Sequence, residues 1–554
     1  MIHMSNVVVA PLLVALVTAV LTLVTRSRPR VQRAISLLGG AGYVGAVGAL
    51  VWQVFSESIL TYQLSGWTAP YGITLVADQL AAFMLAMSAL VTIAALVFSA
   101  DYIETFGQQL AYHPLFHLMV VGVTGAFLTG DIFNLFVWFE VMLMPSYVLV
   151  VFYSGPEHTR AALQYAVLNL IGSAVMLLSI GGIYATTGTL NMADLAVRLS
   201  NPGAFGIAVE PVVGLAALLF AVFALKAGIV PFHFWVPDAY EAAPAPVSAM
   251  LAGVTKKVGV YAIIRLLFTV FGAAHLDLGP FGDGSMLLFF GPILFVMAIG
   301  SAFLGGFAAV GQPNLDRLLA YSSIAQVGFI VLPLAVVATI PLGDAGSVAV
   351  LGGEYVVPAG KSATDGLRVL GIVAALLYAL NHAVAKSLLF LVSGTINAAV
   401  GTISTDDLGG LTRSRPYLST AFLLGGLSLV GIPPLMGFFG KLTVFETAAT
   451  AMSASGPIGE IAAIAALGAA ILTIAYVSKV WSDAFWGTQS DAVLRATAQP
   501  VALLSVVAVL ALTLVVLGIA LDPVYEGAHG AANAALDRGA YIDAVDPSYT
   551  EVQR

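Results

Sequence analysis

Apolar residues run along this chain in stretches of the roughly 18 to 20 positions that carry an α-helix across the hydrocarbon core of a bilayer. The stretches lie near residues 6–25, 34–55, 78–100, 113–130, 131–153, 160–186, 211–236, 245–271, 285–309, 315–338, 366–399, 416–450, 458–486 and 499–521. They predict an all-α polytopic membrane protein of about fourteen transmembrane helices. Only Gly130 and Asp131 separate the fourth run from the fifth. Two polar segments, Gly343–Gly366 and Asp522–Arg554, hold no spanning run and read as an extramembrane loop and tail.

Two of the longer runs carry a break. Gly228-Ile229-Val230-Pro231-Phe232 is echoed by Gly431-Ile432-Pro433-Pro434-Leu435, each midway along its run and each near a lysine. Interrupted segments at corresponding places in two halves point to a transporter site and to internal repeats. The breaks fall in the seventh and twelfth spans, which therefore cross the membrane in opposite senses and predict two inverted five-helix repeats. The expected organisation is N-terminal spans in 1–112, a first repeat in 113–271, a second in 285–486, a last span at 499–521 and a tail at 522–554.

Charge sets the expected orientation. Residues 1–6 carry no Lys or Arg while Arg26, Arg28, Arg30 and Arg33 follow the first run, an order that fits a first span with its N-terminus outside. Counting on from there, Arg160, Arg317, Arg413, Arg415 and Arg495 fall inside, and Arg198, Lys361 and Arg368 outside. The excess obeys the positive-inside rule and places both termini outside a cell membrane. Composition narrows the chemistry. Of 554 residues 60% are hydrophobic and 9% charged; the net charge of −8 says little about partners because much of the acid sits in extramembrane segments. The absence of cysteine excludes disulfides, thiolate nucleophiles, iron–sulfur ligation and Cys-containing zinc sites, and no basic patch suggests nucleic acid.

The few ionisable residues inside the spans carry the functional reading, since a lysine at mid-membrane costs about 2.5 to 3.5 kcal/mol and such groups usually mark ion or proton routes. Glu140 is alone in DIFNLFVWFEVMLMPSYVLVVF and is expected to pair with Lys226. Lys226 lies just before Pro231, whose ring denies the Ala227 carbonyl its helical partner and so favours a hydrated site there. Lys256 and Lys257 are adjacent, about 100° apart on a helix, so one is expected to face a given route and the other to snorkel or face a neighbouring helix. His382 and Lys386 are spaced i, i+4 on one face and have the composition of a proton relay. Lys441 follows the second break and reads either as the relay's far end or as a lysine reaching the interface. His233 and Asp238, near the inner end of the seventh span, read as an access port or a helix cap. One carboxylate and a line of bases suit protons better than a dehydrated sodium ion, which needs several oxygens.

VPDAYEAAPAPVSAML followed by TKKVGVY, LLAYSSIAQVGF, HAVAKSLLFLVSG and GIPPLMGFFGKL together resemble the antiporter-like membrane subunits shared by respiratory complex I, membrane hydrogenases and Mrp-type sodium/proton antiporters. The resemblance covers about 75 to 490, and GDIFNLFVWFEVMLMPSYVL looks most like the D subunits of the Mrp antiporters. It implies a secondary-transporter subunit, not an enzyme, with no bound redox cofactor, working beside other subunits of a membrane complex on protons and Na+. It also implies residue roles: Glu140 and Lys226 match the family's fifth-helix glutamate and seventh-helix lysine, Lys257 the eighth-helix lysine, His382 and Lys386 the linking helix, and Lys441 the twelfth-helix lysine. Lys256 is then the extra lysine, and Pro145 and Ser146, a turn after Glu140, depart from the pattern.

Overall fold

The computed structural model describes residues 6–277, 283–340, 348–350, 353–355, 363–546 and 548. Most of the expected 343–366 loop, Lys361 included, lies outside the described residues. Among those described, twelve helices are long and apolar enough to cross a membrane, and the shorter apolar helices Tyr112–Leu128 and Pro416–Val430 take the places of the fourth and twelfth predicted spans. In order the others are Asn6–Val24, Pro29–Glu57, Gln79–Tyr102, Ile132–Val150, Pro156–Thr187, Val209–Ala227, Ala245–Ala273, Leu287–Val310, Leu315–Thr339, Gly366–Val400, Pro457–Phe485 and Val501–Ile519. Local chemistry sets several ends. Asp78 and Asp131 cap the third and fifth spans by accepting from the amides of Ala81 and Asn134. Gly228 and Gly431 stop the seventh and twelfth in left-handed conformations, φ +65° and +95°.

Both expected breaks are present, but they divide their runs differently. The seventh span is 19 residues long before its break and resumes as the 8-residue helix Trp235–Ala242. The twelfth is 15 residues before its break and resumes as the 20-residue helix Met436–Ser455. The first break therefore lies near one end of its run, because the Pro237–Pro246 segment turns the chain back into the eighth span.

Contacts between connections establish two opposite ends of the bundle. At one end Arg33 pairs with Asp101, His158 meets the Ala242 carbonyl, Arg317 pairs with Asp238 and Glu241, the Thr405 amide donates to Pro313, and Arg415 donates to Ala496 and Thr497. These join the connections after the odd-numbered spans. At the other end the hairpin β1 (Leu60–Gln63) and β2 (Thr74–Ala77) receives the Gly130 amide, and Gly130 in turn accepts from Met192. The end of the eighth span is tied there as well, through Thr269 and the C-terminal helices. The connections joined by these contacts thus segregate as an unbroken count of crossings requires, and the seventh and twelfth spans run in opposite senses.

Three long spans form the interior together with the short fourth, which is buried at nearly every position. The eighth, tenth and eleventh are buried over 100%, 94% and 100% of their apolar windows, while most others are buried over half or less and sheathe them. A helix that is apolar on every side must be enclosed on every side. The eighth is also widened into π-helix at Leu251–Thr255 and Ile263–Val270, the kind of local distortion that is frequent at functional sites.

Over its described residues the expected tail is folded. Leu521–Leu536 and Arg538–Val545 are helices, and the first lays Ala528, Ala531, Ala532 and Ala535 against the third and eleventh spans. Small alanines at that helical spacing make a packing face with too little hydropathy to register as a span.

Candidate functional site

The site is a series of buried side chains that crosses the bundle from the fifth span to the second broken helix. Glu140 sits half-buried on the fifth span, which continues as α-helix through Pro145, and its carboxylate accepts from Ser173 on the sixth. Lys226, 1% exposed in the last turn of the seventh span, donates to the Tyr165 hydroxyl at 3.2 Å. Its ammonium also lies 5.6 and 5.8 Å from the ring centroids of Tyr165 and Trp235. The expected partners Glu140 and Lys226 make no direct contact within 4 Å; each meets a hydroxyl of the sixth span, Ser173 and Tyr165 respectively. Pro231 breaks the helix as expected, and side chains meet the backbone on either side of the break. Trp235 Nε1 donates to the Leu225 carbonyl at 2.8 Å, and Ser301 accepts from the Val230 amide at 2.9 Å.

The centre lies where the enclosed spans meet. Lys257 Nζ is 2.6 Å from the Ala252 carbonyl in the π-turn below it and 2.5 Å from His382 Nδ1. Lys256 Nζ donates to the Ser323 carbonyl at 3.1 Å and reaches its hydroxyl at 3.4 Å. That hydroxyl is 3.1 Å from His382 Nε2. Lys386 donates to Ser322 and, at 3.1 Å, to the Leu319 carbonyl. All four bases are fully buried. The two adjacent lysines do point to different neighbours, as their angular separation demands, but the enclosed eighth span offers each a polar partner.

Beyond the centre, Tyr378 donates to Gln326, whose amide donates to Tyr476 at 2.6 Å and Thr473 at 3.1 Å. Ser428 donates to Asn381 at 2.6 Å. Lys441, 4% exposed, donates at 3.2 Å to the carbonyl of Val430, the last residue before the second break, and stands 4.4 Å from the Phe329 ring centroid. A cation at a helix C-terminus is favourably placed against the helix dipole, and this one does not reach the interface. His233 is buried and stacks on Phe234; Asp238 pairs with Arg317 at 2.8 Å at the bundle's odd-numbered end.

Sequence reasoning found the charged members and missed the hydroxyls and amides between them: Tyr165, Ser173, Ser322, Ser323, Gln326 and Tyr378. The signal for three was present. Ser322, Ser323 and Gln326 are polar positions within one turn of an otherwise apolar enclosed helix.

Comparisons with known proteins extend this geometry. A family model described as NADH:quinone oxidoreductase/Mrp antiporter, TM, matches residues 129–343 and 366–465. The chain is 32% identical over 98% of its length to the D subunit of a Na(+)/H(+) antiporter of Alkalihalophilus pseudofirmus, 99% of which is covered. It is 35% identical to the N subunit of an NADH-quinone oxidoreductase of Desulforudis audaxviator, over 78% of each chain. Among solved structures, a chain of the Mrp complex from Dietzia sp. DQ12-45-1b superposes with a TM-score of 0.82 at 27% identity, covering 98% of this chain and all of that one.

Proposed function

The chain belongs to the membrane-subunit family shared by NADH:quinone oxidoreductase and Mrp antiporters, and from that premise we propose that it is the proton-translocating, D-type member of a multisubunit Na+/H+ antiporter. Protons move at mid-membrane along Glu140, Lys226, Lys257, His382, Lys386 and Lys441. The observation that carries this reading is the contact of Lys257 with His382 between two fully buried spans, flanked by broken helices that each hold a lysine. A proton exchanged between an amine and an imidazole at hydrogen-bond distance is one step of such a relay. Tyr165 and Ser173 give Glu140 and Lys226 alternative partners, so the carboxylate and the ammonium pair or part as protons pass. The excess of arginine at the odd-numbered end supports an inner face there in the cell membrane, with both termini outside. His233 and Asp238 flank that end, where Asp238 with Arg317 suits proton access. Each charge carried through the full field is worth about 2.3 kcal/mol per 100 mV, so electrogenic exchange responds to membrane potential.

In inverted vesicles holding the assembled complex, Glu140→Ala and Lys226→Ala should each abolish Na+-driven proton movement; full exchange in assembled Glu140→Ala complex sinks the proposal. The match to an oxidoreductase N subunit favours a second reading, a proton-pumping subunit of a redox-driven complex. Sodium-dependent exchange without any electron donor decides for the antiporter.

A further inference from the structure

Lys256 is the extra lysine of the eighth span, and its surroundings give it more to do than fill space. A Cβ built on Gly228 would lie 3.0 Å from Lys256 Cε and 3.3 Å from its Nζ. The ammonium therefore rests against the left-handed glycine of the first break, two residues after Lys226. From there it reaches Ser323, and Ser323 reaches His382 Nε2. Lys257 occupies Nδ1 of the same ring.

We infer that Lys256 and Ser323 form the input arm of the central histidine, carrying protons from the first helix break to His382 Nε2, while Lys257 takes them from Nδ1. The inference rests on the proton-relay reading above and adds its direction through the ring. A neutral imidazole donates from one nitrogen and accepts at the other, so it conducts only if each nitrogen has its own proton partner. With Lys257 alone, a proton would arrive and leave at the same atom. A hydroxyl both donates and accepts, which lets Ser323 stand between an ammonium and a ring nitrogen. The step begins with Lys256 charged, Lys257 neutral and the ring proton on Nδ1. An N–H bond of Lys256 breaks as a new O–H bond forms at Ser323 Oγ. The original Ser323 proton moves to Nε2, and the Nδ1 proton moves to the Lys257 amine. One positive charge has passed from Lys256 to Lys257, and the imidazole ends neutral as its other tautomer. Lys386 also faces this cluster but bonds to Ser322 and the Leu319 carbonyl, not to the ring. It is the natural next acceptor on the same helix face as His382.

The test measures Na+-driven proton movement per assembled complex in inverted vesicles. Lys256→Met and Ser323→Ala should each slow turnover by about tenfold or more, as loss of a positioned proton donor does, with the apparent KM for Na+ unchanged. The double variant should be no slower than either single one, because both remove the same arm. Ser323→Thr, which keeps the hydroxyl, should restore exchange. Lys256→Arg keeps the cation and the hydrogen bond but does not release its proton, so it should fail as Lys256→Met does. Full turnover in Lys256→Arg would make Lys256 a structural cation and overturn the inference, as would full turnover in Ser323→Ala. If Lys256→Met is fully active while Lys226→Ala is inactive, only this arm falls. If both are fully active, the relay itself falls.

Discussion

Buried cations in this chain are of two chemical kinds, and their partners differ accordingly. The lysines of the proposed relay rest on hydroxyls, carbonyls, ring faces and one imidazole, none of which locks a charge in place. Arg265 is held differently: its guanidinium is 2.5 Å from Asp78, both side chains are 2% exposed or less, and the rings of Tyr261 and Tyr541 lie 5.6 and 4.8 Å away. Arginine keeps its proton where lysine can release it, so this pair is a clamp between the third and eighth spans and not a step in transfer. Asp78→Asn keeps the helix cap but leaves Arg265 unpaired, and should cost about 3–5 kcal/mol, read as a lower melting temperature of the purified complex. Adding Arg265→Met should recover part of that loss, since removing the guanidinium leaves no orphaned charge. Equal melting of wild type and Asp78→Asn would refute the clamp.

At the scale of helices, hydropathy made the spans legible because lipid admits few other solutions for a backbone that must satisfy itself. The two breaks were legible because glycine and proline punctuate helices for reasons independent of tertiary context. Their unequal placement was not, since where a span ends also depends on the turn that follows, here the proline-rich bend before the eighth span. The partners of the lysines were harder to read for a related reason: Ser322, Ser323 and Gln326 stand out as polar positions, but their role depends on the tenth span being enclosed. The glycine of the first break is also a site of close approach. Alanine at Gly228 would place its Cβ 2.7 Å from Val236 Cγ2 and against the Lys256 side chain, whereas at Gly206, also left-handed at φ +65°, it would meet nothing within 4 Å. Both substitutions carry the backbone cost of about 1–2 kcal/mol. Only Gly228→Ala should also depress exchange per assembled complex, by displacing Lys256; equal exchange in the two variants would separate the break from the relay.

For the molecule as a whole, the sorting of odd and even connections to opposite ends shows how much of the topology lay in the count of crossings. The folded C-terminus shows what the count left out, because a 16-residue helix interrupted by Asp522, Glu526, His529 and Asn533 falls short of a spanning hydropathy signal. That segment is a brace across the even-numbered end. Thr269 donates to the Ala535 carbonyl at 2.7 Å, Arg538 donates to the Thr269 carbonyl at 2.9 Å, and Tyr541, 1% exposed, covers Arg265. The last helix also reaches Met192 between the sixth and seventh spans and, through Val545, Gln63 of the hairpin. It thus ties the hairpin, the connection before the seventh span and the end of the eighth span while standing apart from the lysines. Tyr541→Ala should leave a cavity over the Asp78–Arg265 pair and cost about 3–5 kcal/mol, the range for emptying a buried aromatic site. Tyr541→Phe keeps the ring over the guanidinium and should melt close to wild type. Exchange per assembled complex should be unchanged in both, because the brace holds the bundle's end and touches no member of the relay. Wild-type melting in Tyr541→Ala would show that the C-terminal helices rest on the bundle without securing it.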